Sequence, residues 1–306
     1  MFDPQYDSDT PIGETSSNDP LPSIARPNRD EIRNAIDTLW GGRACHELRA
    51  VYCKPDAKGR RRVDAGTFDS DHIDEFIEHA VGLNDLAAVY INLNPLHVDY
   101  KPKHVNVIKP YASGLAGNAD IDRREYLLID IDPTRPPNTS ATDEQLEAAQ
   151  TVAGQCLGYL TSKGWPEPFV CQSGNGIHLV YRIDLPNDES STKLVEDVLQ
   201  ALGEKFDTPE AKVDKVVGNA GRIVKLYGTV ANKGAHTTIT PHRLSRITSV
   251  PDPLIVVSRT QLLLETPLGF LGEPPAKIAT ALHSPLVGSF DLDSFLKRLA
   301  IPYTRK

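Results

Sequence analysis

The reading of this chain turns on "YLLIDIDPTRP", Tyr126 to Pro136. Leu127, Leu128, Ile129 and Ile131 have the character of a buried strand, yet Asp130 and Asp132 interrupt it. Side chains along a strand alternate between faces, so residues 130 and 132 point the same way. Two carboxylates side by side repel, and burying either one alone is costly. A divalent cation removes the conflict, and hard carboxylate oxygens suit magnesium or manganese. The plain alternative is a strand end at which Asp132-Pro133 already meets water.

Downstream, Thr142 and Gln145 form a capping box for a helix that buries Leu146, Ala149, Ala153, Cys156 and Leu160 and stops at Gly164. "PFVCQ" and "IHLVYRI" are strands joined by Ser173-Gly174-Asn175-Gly176, a glycine-rich hairpin turn. A helix around Leu194, Val198, Leu199 and Leu202 follows. "RIVKLYGT" reads as a short element ending in a strand, and "TTITPHRLSRI" as a last basic piece.

Upstream, residues 1–27 are rich in Pro, Ser and Asp without periodicity, which predicts a disordered acidic arm. Asn28 then caps a helix, with Glu31 three residues on and Ile32, Ala35, Ile36, Leu39 and Trp40 at helical spacing. "CHELRAVYC" and "AGTF" are predicted strands, Ile73, Phe76, Ile77 and Ala80 a second helix, and "AAVYINLN" a further strand. Residues 28–120 therefore form a predicted N-terminal α/β module and 121–271 a second, strand-rich one. Residues 272–288 read as a linker within a final segment, 272–306, where Leu292, Phe295, Leu296 and Leu299 mark one short amphipathic helix.

Of the 306 residues, 40% are hydrophobic and 24% charged, as in ordinary globular proteins. No run approaches the ~20 apolar residues that span a bilayer, and MFDPQYDSDT does not have the basic-then-apolar pattern of a secretory signal. Cys45, Cys53, Cys156 and Cys171 form no CxxC pair, so a cytoplasmic setting with free thiols and no zinc site is expected. The net charge of −8 excludes holding nucleic acid by the overall field. Basic residues do cluster locally: Lys58-Gly59-Arg60-Arg61-Arg62, Lys101, Lys103 and Lys109, Arg123-Arg124, then Lys212, Lys215, Arg222, Lys225, Lys233, Arg243 and Arg246.

In "QSGNGIHLVYRI" the glycines let backbone N–H groups approach an anion, Ser173 adds a hydroxyl and His178 opens the return strand. His178, Val180 and Arg182 share a face opposite Ile177, Leu179 and Tyr181. The histidine is either structural or a phosphate contact. In "VDKVVGNAGRIVKLYGTVANKG", Asp214 could supply a third carboxylate, with Asp207 and Glu210 as competing candidates. Arg222, Lys225 and Lys233 add the positive charge that a triphosphate requires.

An "hDhD" strand, then "SGxGxH" on a hairpin, then a lone aspartate before "N-x-x-R-h-x-K-h-x-GT", resembles the archaeo-eukaryotic primase superfamily. Within it the branch is that of phage and plasmid primase–polymerases, often fused to a helicase. "HELRA", "YINLNPL" and "TPHRLSRI" resemble recurring stretches of that branch, so the likeness covers roughly residues 30 to 260. The proline-histidine-arginine stretch departs from it in lacking the arginine that often precedes it, and no zinc-binding insertion is visible.

The resemblance implies an α+β catalytic core, its N-terminal α/β module packed on an antiparallel or mixed sheet like that of RNA-recognition domains. Asp130, Asp132 and Asp214 would hold two magnesium or manganese ions for in-line phosphoryl transfer. Ser173, Gly174, Asn175, Gly176 and His178, with Arg222 and Lys225, would bind the incoming ribo- or deoxynucleoside triphosphate. His242 and Arg243 would reach phosphates or template. A local groove for single-stranded DNA would draw on Lys101, Lys103, Arg123, Arg124, Arg243 and Arg246.

The implied activity is template-directed nucleotidyl transfer, making or extending primers on single-stranded DNA in phage or plasmid replication, in the cytoplasm of the host if phage-encoded. Rival readings are a primer-dependent gap-filling or end-joining polymerase, a metal-dependent nuclease, and a non-catalytic DNA-binding replication module. Intact Asp130, Asp132, Asp214 and His178 argue against the last. The final "IPYTRK" after a single helix is expected to lead into a longer protein carrying a helicase domain, with no membrane partner.

Overall fold

The computed structural model describes residues 23–60 and 62–266. Most of the predicted acidic arm, and the whole predicted linker and terminal helix of 272–306, lie outside the described residues. Helix α1 (Arg29–Trp40) forms where the periodicity places it. Asn28 Oδ1 accepts from Asp30 N at 3.0 Å and Glu31 N at 3.2 Å, satisfying two of the free N–H groups of the first turn. Ile32, Ala35, Ile36, Leu39 and Trp40 are its buried stripe. Strands β1 (Cys45–Val51) and β2 (Val63–Asp69), helix α2 (Ile73–Asn84) and strand β3 (Ala88–Asn92) follow.

Strand β4 (Arg123–Pro133) carries the two aspartates and begins the unit βαββαβ. It continues with α3 (Asp143–Ser162), β5 (Phe169–Gln172), β6 (Ile177–Pro186), α4 (Glu189–Phe206) and β7 (Ala211–Val213). These strands lie in the order β5-β6-β4-β7, each antiparallel to its neighbour. That is the split βαβ arrangement of RNA-recognition domains, as the resemblance implies. The Thr142–Gln145 capping box that opens α3 is present with both bonds made. Leu127, Ile129 and Ile131 share one face with Ile177, Leu179 and Tyr181, and α3 packs on both strands. Tyr181 meets Trp165, just past α3, edge to face at 5.0 Å.

The opposite face, that of Asp130 and His178, turns toward α1. Tyr126 Oη donates to Leu39 O at 2.7 Å, and Trp40 stacks on Tyr227 with ring centroids 6.1 Å apart. One buried core runs through both halves of the chain.

The tail of the chain departs from the simple reading. In "RIVKLYGT" the strand comes first, as β8 (Ile223–Lys225). It joins β3, completing a sheet of order β2-β1-β3-β8 in the N-terminal half. A three-residue strand has no pattern long enough to say which edge it joins, so tertiary packing decides. β9 (Val230–Ala231) pairs with β10 (Arg243–Leu244), and β11 (Arg246–Ser249) adds to the β5 edge. Helix α5 (Arg259–Leu264), opened by a Ser258–Gln261 capping box, was not anticipated. Among the described residues no helix is long and apolar enough to cross a membrane.

Candidate active site

Register brings three of the proposed residues into one row. Asp130 on β4 lies opposite His178 on β6, and on its other flank Asp214 N donates to Asp130 O at 2.8 Å. Directly opposed residues in antiparallel strands share a face, so His178, Asp130 and Asp214 form a row with Asp132 and its neighbour Lys212 one step along. This also separates Asp214 from its competitors. Asp207 Oδ1 accepts from Val213 N at 2.9 Å and its Oδ2 pairs with Lys215, which makes it structural. Glu210 sits exposed in the turn before β7.

The electrostatics of the pair are uneven. Burial pushes the Asp130 carboxyl up, but the charge and hydrogen bonding of His178, with Lys233 and Arg222 behind, hold it below the usual carboxylate range. The His178 Nε2 to Asp130 Oδ1 distance is 3.3 Å. Burial and then the neighbouring Asp130 charge push Asp132 up, against the pull of Arg135 and Lys233. Arg135 Nη1 lies 3.2 Å from Asp132 Oδ1. Asp132 is 42% exposed and Asp130 19%, so both open toward solvent on one side.

The donor set fits a divalent cation. Asp130 Oδ1 is buried, and beyond the 3.3 Å ion-pair contact with His178 Nε2 it makes no well-formed hydrogen bond, which leaves it capacity to serve a cation. Two adjacent carboxylates, one paying repulsion for the other's charge, are a magnesium-type donor set that leaves room for water and phosphate oxygens. Among the described residues no group of three His, Cys, Asp or Glu side chains is gathered to hold a metal by itself. Asp214 is next to Asp130 in register, but its Oδ1 accepts from Val216 N at 2.9 Å.

The hairpin differs from the expected anion nest. Gly174 has φ +100, and a Cβ there would meet the Cβ of Ala231 at 2.4 Å. A Cβ on Gly176 would sit 2.4 Å from Ile131 O and 2.9 Å from Asp132 Oδ1. Close packing thus requires both glycines, Gly176 against the aspartate strand and Gly174 against β9, whatever binds outside. Ser173 Oγ accepts from Gly176 N at 3.0 Å and donates to Gly176 O at 3.2 Å, closing its own turn. Asn175 is 4% exposed, and its Oδ1 accepts from Ala141 N at 2.8 Å. Asn175 is therefore corrected from a nucleotide contact to a brace for the start of α3.

His178 keeps a site geometry. Its Nδ1 is 2.8 Å from Tyr227 Oη, which orients the ring and leaves Nε2 facing Asp130. Lys225 is buried, donates to Val230 O at 2.9 Å and lies 5.9 Å from the Tyr90 ring centre. Burial, with Lys233 nearby, brings its pKa down to about 7. Arg222 donates to Val216 O while its Nε stays buried and unpartnered. Sequence reasoning did not single out Tyr227 or Tyr90, and counted Lys233 with Arg222 and Lys225 among the cations a triphosphate requires. Tyr90 feels both Asp130 and Asp132. The position of Tyr90 directly opposite Lys225 comes from β3–β8 pairing, which no local pattern announced.

The predicted DNA contacts do not converge, and several are corrected. Arg124 is 3% exposed, with Nη1 donating to Gly218 O at 2.7 Å and Nη2 to Thr192 Oγ1 at 2.6 Å. Arg243 donates to Ala141 O at 2.7 Å and pairs with Asp143. His242 bonds within its own loop, to Gly234 O at 3.1 Å. Arg123 pairs with Asp184 at the far end of β4, roughly 20 Å from Asp130 at strand rise. Lys101 and Lys103 sit in the loop that runs along the β2 edge, the edge opposite β8. Arg246 opposes Gln172, in the row of Ile177 and Ile131 rather than of Asp130. A separate cleft of about 370 Å³ at the end of α1 is lined by Asp37, Arg43, Glu125 and Arg182. Its two guanidiniums already flank Glu125, so it lies apart from this chemistry.

No protein-family profile matches the sequence, and no curated protein matches it either. Among solved structures the chain is similar to the AEP domain of the cyanophage S-2L primase–polymerase, with 15% identity over 79% of this chain and 100% of that one, at a TM-score of 0.46. It is also similar to the primase RepB′, with 12% identity over 89% of this chain and 67% of that one, at a TM-score of 0.43.

Proposed function

We propose that this chain is a primase–polymerase core that joins nucleotides on a single-stranded DNA template, in replication of a phage or plasmid. The observation that carries the reading is the row His178–Asp130–Asp214 with Asp132 beside it, on a face edged by Lys233, Arg222 and Arg135. Like charges held together on an open face, ringed by cations, suit a substrate that brings both metal and triphosphate. Asp130 and Asp132 would hold the divalent ions, with Asp214 joining them once its carboxylate leaves Val216. Bound there, such ions neutralise the transferring phosphoryl group and make the attacking hydroxyl more acidic.

The chain's own side chains supply the rest. His178, its ring set by Tyr227, presents Nε2 where a phosphate oxygen would lie beside Asp130. Lys225 and Lys233 draw the triphosphate into the pocket. Arg135 holds Asp132 in place from behind.

The test is incorporation of labelled nucleotides with magnesium or manganese on single-stranded template, with and without a primer. Product is expected in both arms. Product only with a primer would favour a gap-filling polymerase, and shortened DNA without extension a nuclease. An Asp130→Ala/Asp132→Ala variant that still extends primers would overturn the assignment.

A further inference from the structure

The turn between β1 and β2 takes no part in the site just described, yet it is densely basic. Its sequence carries Lys54, Lys58, Arg60, Arg61 and Arg62 against a single acid, Asp56, in a chain of net charge −8. The turn is built rather than loose. Asp56 Oδ1 accepts from Lys58 N and Arg60 N, both at 2.9 Å, and Asp56 N donates to Arg60 O at 2.9 Å. Tyr111 is held against it in a left-handed conformation (φ +52), its N donating to Asp64 Oδ1 at 3.1 Å and its Oη to Asp56 Oδ2 at 3.1 Å. A bulky residue adopts that backbone only when its surroundings impose it.

This arrangement presents a flat cation to solvent. The Arg60 guanidinium, paired with Asp56 Oδ2 at 2.9 Å, lies 4.9 Å from the Tyr111 ring centre, and its side chain is 60% exposed. Lys54 and Lys58 are exposed beside it, and neither ammonium makes an ion pair among the described residues. Bases stack on guanidinium planes and aromatic rings, while lysines meet phosphates as point charges. An acidic peptide would use the charge and leave the stack unused. A membrane surface would want several exposed apolar anchors, and this surface offers only Tyr111, whose hydroxyl is already held by Asp56.

The sheet register puts the β1 end of the turn toward the site, while the Arg60–Tyr111 stack lies further out, over the β2 edge. Val51 pairs with Ala88, two residues along β3 from Tyr90, which itself pairs with Lys225. Tyr90 lies within the field of Cys53 as well as of Asp130 and Asp132. We infer that the β1–β2 turn grips a single strand of nucleic acid beside the carboxylate site, with Lys54 and Lys58 on phosphates and the Arg60–Tyr111 stack under a base. The choice of nucleic acid rests on the function proposed above, while the grip itself requires no catalysis.

The experiment measures binding of a fluorescent 20-mer oligothymidylate by anisotropy over a salt series, without metal or nucleotide. Lys54→Gln/Lys58→Gln should weaken binding about tenfold at low salt and flatten the log–log salt slope by about 1.4, from roughly 0.7 per lost phosphate contact. Tyr111→Ser should weaken binding with the slope kept. The unaltered protein gives an independent readout, since bound oligonucleotide should protect Lys54 and Lys58 from acetylation. Unchanged affinity and slope in the double variant, or no protection of either lysine, would overturn the inference. So would polyglutamate of equal charge displacing the oligonucleotide equally well. Turn-dependent binding by a protein that never incorporates nucleotide would leave the grip standing and remove the proposed function. Extension with turn-independent binding would do the reverse.

Discussion

Neutralising one aspartate at a time should affect the two positions in opposite directions. Side chains two apart on a strand lie about 6–7 Å from each other, which gives a repulsion of about 2–3 kcal/mol at an effective dielectric near 20. Asp132 is 42% exposed, so solvent screening reduces this to about 1 kcal/mol. Asp132→Asn also gives up the ion pair with Arg135, which keeps its bond to Thr139 O at 3.1 Å. The net effect without metal is between no change and about 1 kcal/mol of gain, a melting point level or up by about 2 °C. Asp130→Asn removes the partner of a His178 side chain that is only 5% exposed, and should cost about 1–3 kcal/mol.

Scanning calorimetry in EDTA should therefore place Asp132→Asn at or above the wild type and Asp130→Asn below it. Adding magnesium or manganese reverses the benefit. A ligand at a hundred times its Kd stabilises the protein that binds it by about 2.7 kcal/mol, and only the wild type keeps both carboxylates. Equal melting points for the two variants in EDTA would refute the electrostatic account. A full metal-induced shift in either variant would refute the shared site.

Tyr227→Phe removes the hydroxyl on His178 Nδ1 but keeps the ring stacked on Trp40; it should cut kcat/KM for nucleotide about tenfold, with template affinity unchanged by anisotropy. Lys225→Met should lose nucleotide use yet melt higher at pH 7, by on the order of 2–4 kcal/mol, because a lysine held near pKa 7 is costly to bury charged. The unfolded chain keeps that proton up to about pH 10.5, so the wild type gains stability between pH 7 and 10.5 and the variant's advantage should shrink across that window. An advantage that grew with pH would contradict the assignment. Arg124→Ala, stripping two charged hydrogen bonds from a buried site, should cost about 2–4 kcal/mol in denaturant unfolding. Lost affinity for single strands at unchanged stability would return Arg124 to the DNA-contact list.

The elements whose signals are local were legible before any coordinates. The Asn28 and Thr142 caps, the buried stripe of α1 and the alternation along β4 and β6 each depend on a few neighbouring residues, and the structure has them where the pattern predicts. The shared face of Asp130 and Asp132 follows from strand geometry alone, as does that of His178, Val180 and Arg182. What a cation or an amide does is another matter, because it depends on what folds over it. Arg124, Arg243 and Asn175 read like ligand contacts and turned out to be occupied by Gly218, Ala141 and Asp143.

Only long-range pairing set Tyr227 on His178 and delivered β8 to β3, placing Lys225 opposite Tyr90. It likewise brought the basic β1–β2 turn to the same end of the sheet as Lys225. Those contacts join segments more than a hundred residues apart in the case of β3 and β8, and no periodicity of 2 or 3.6 carries information over such a span. The sequence determined which residues could do the chemistry, and tertiary packing decided which of them are free to do it, since burial and hydrogen bonding consume a side chain's valences before any ligand arrives.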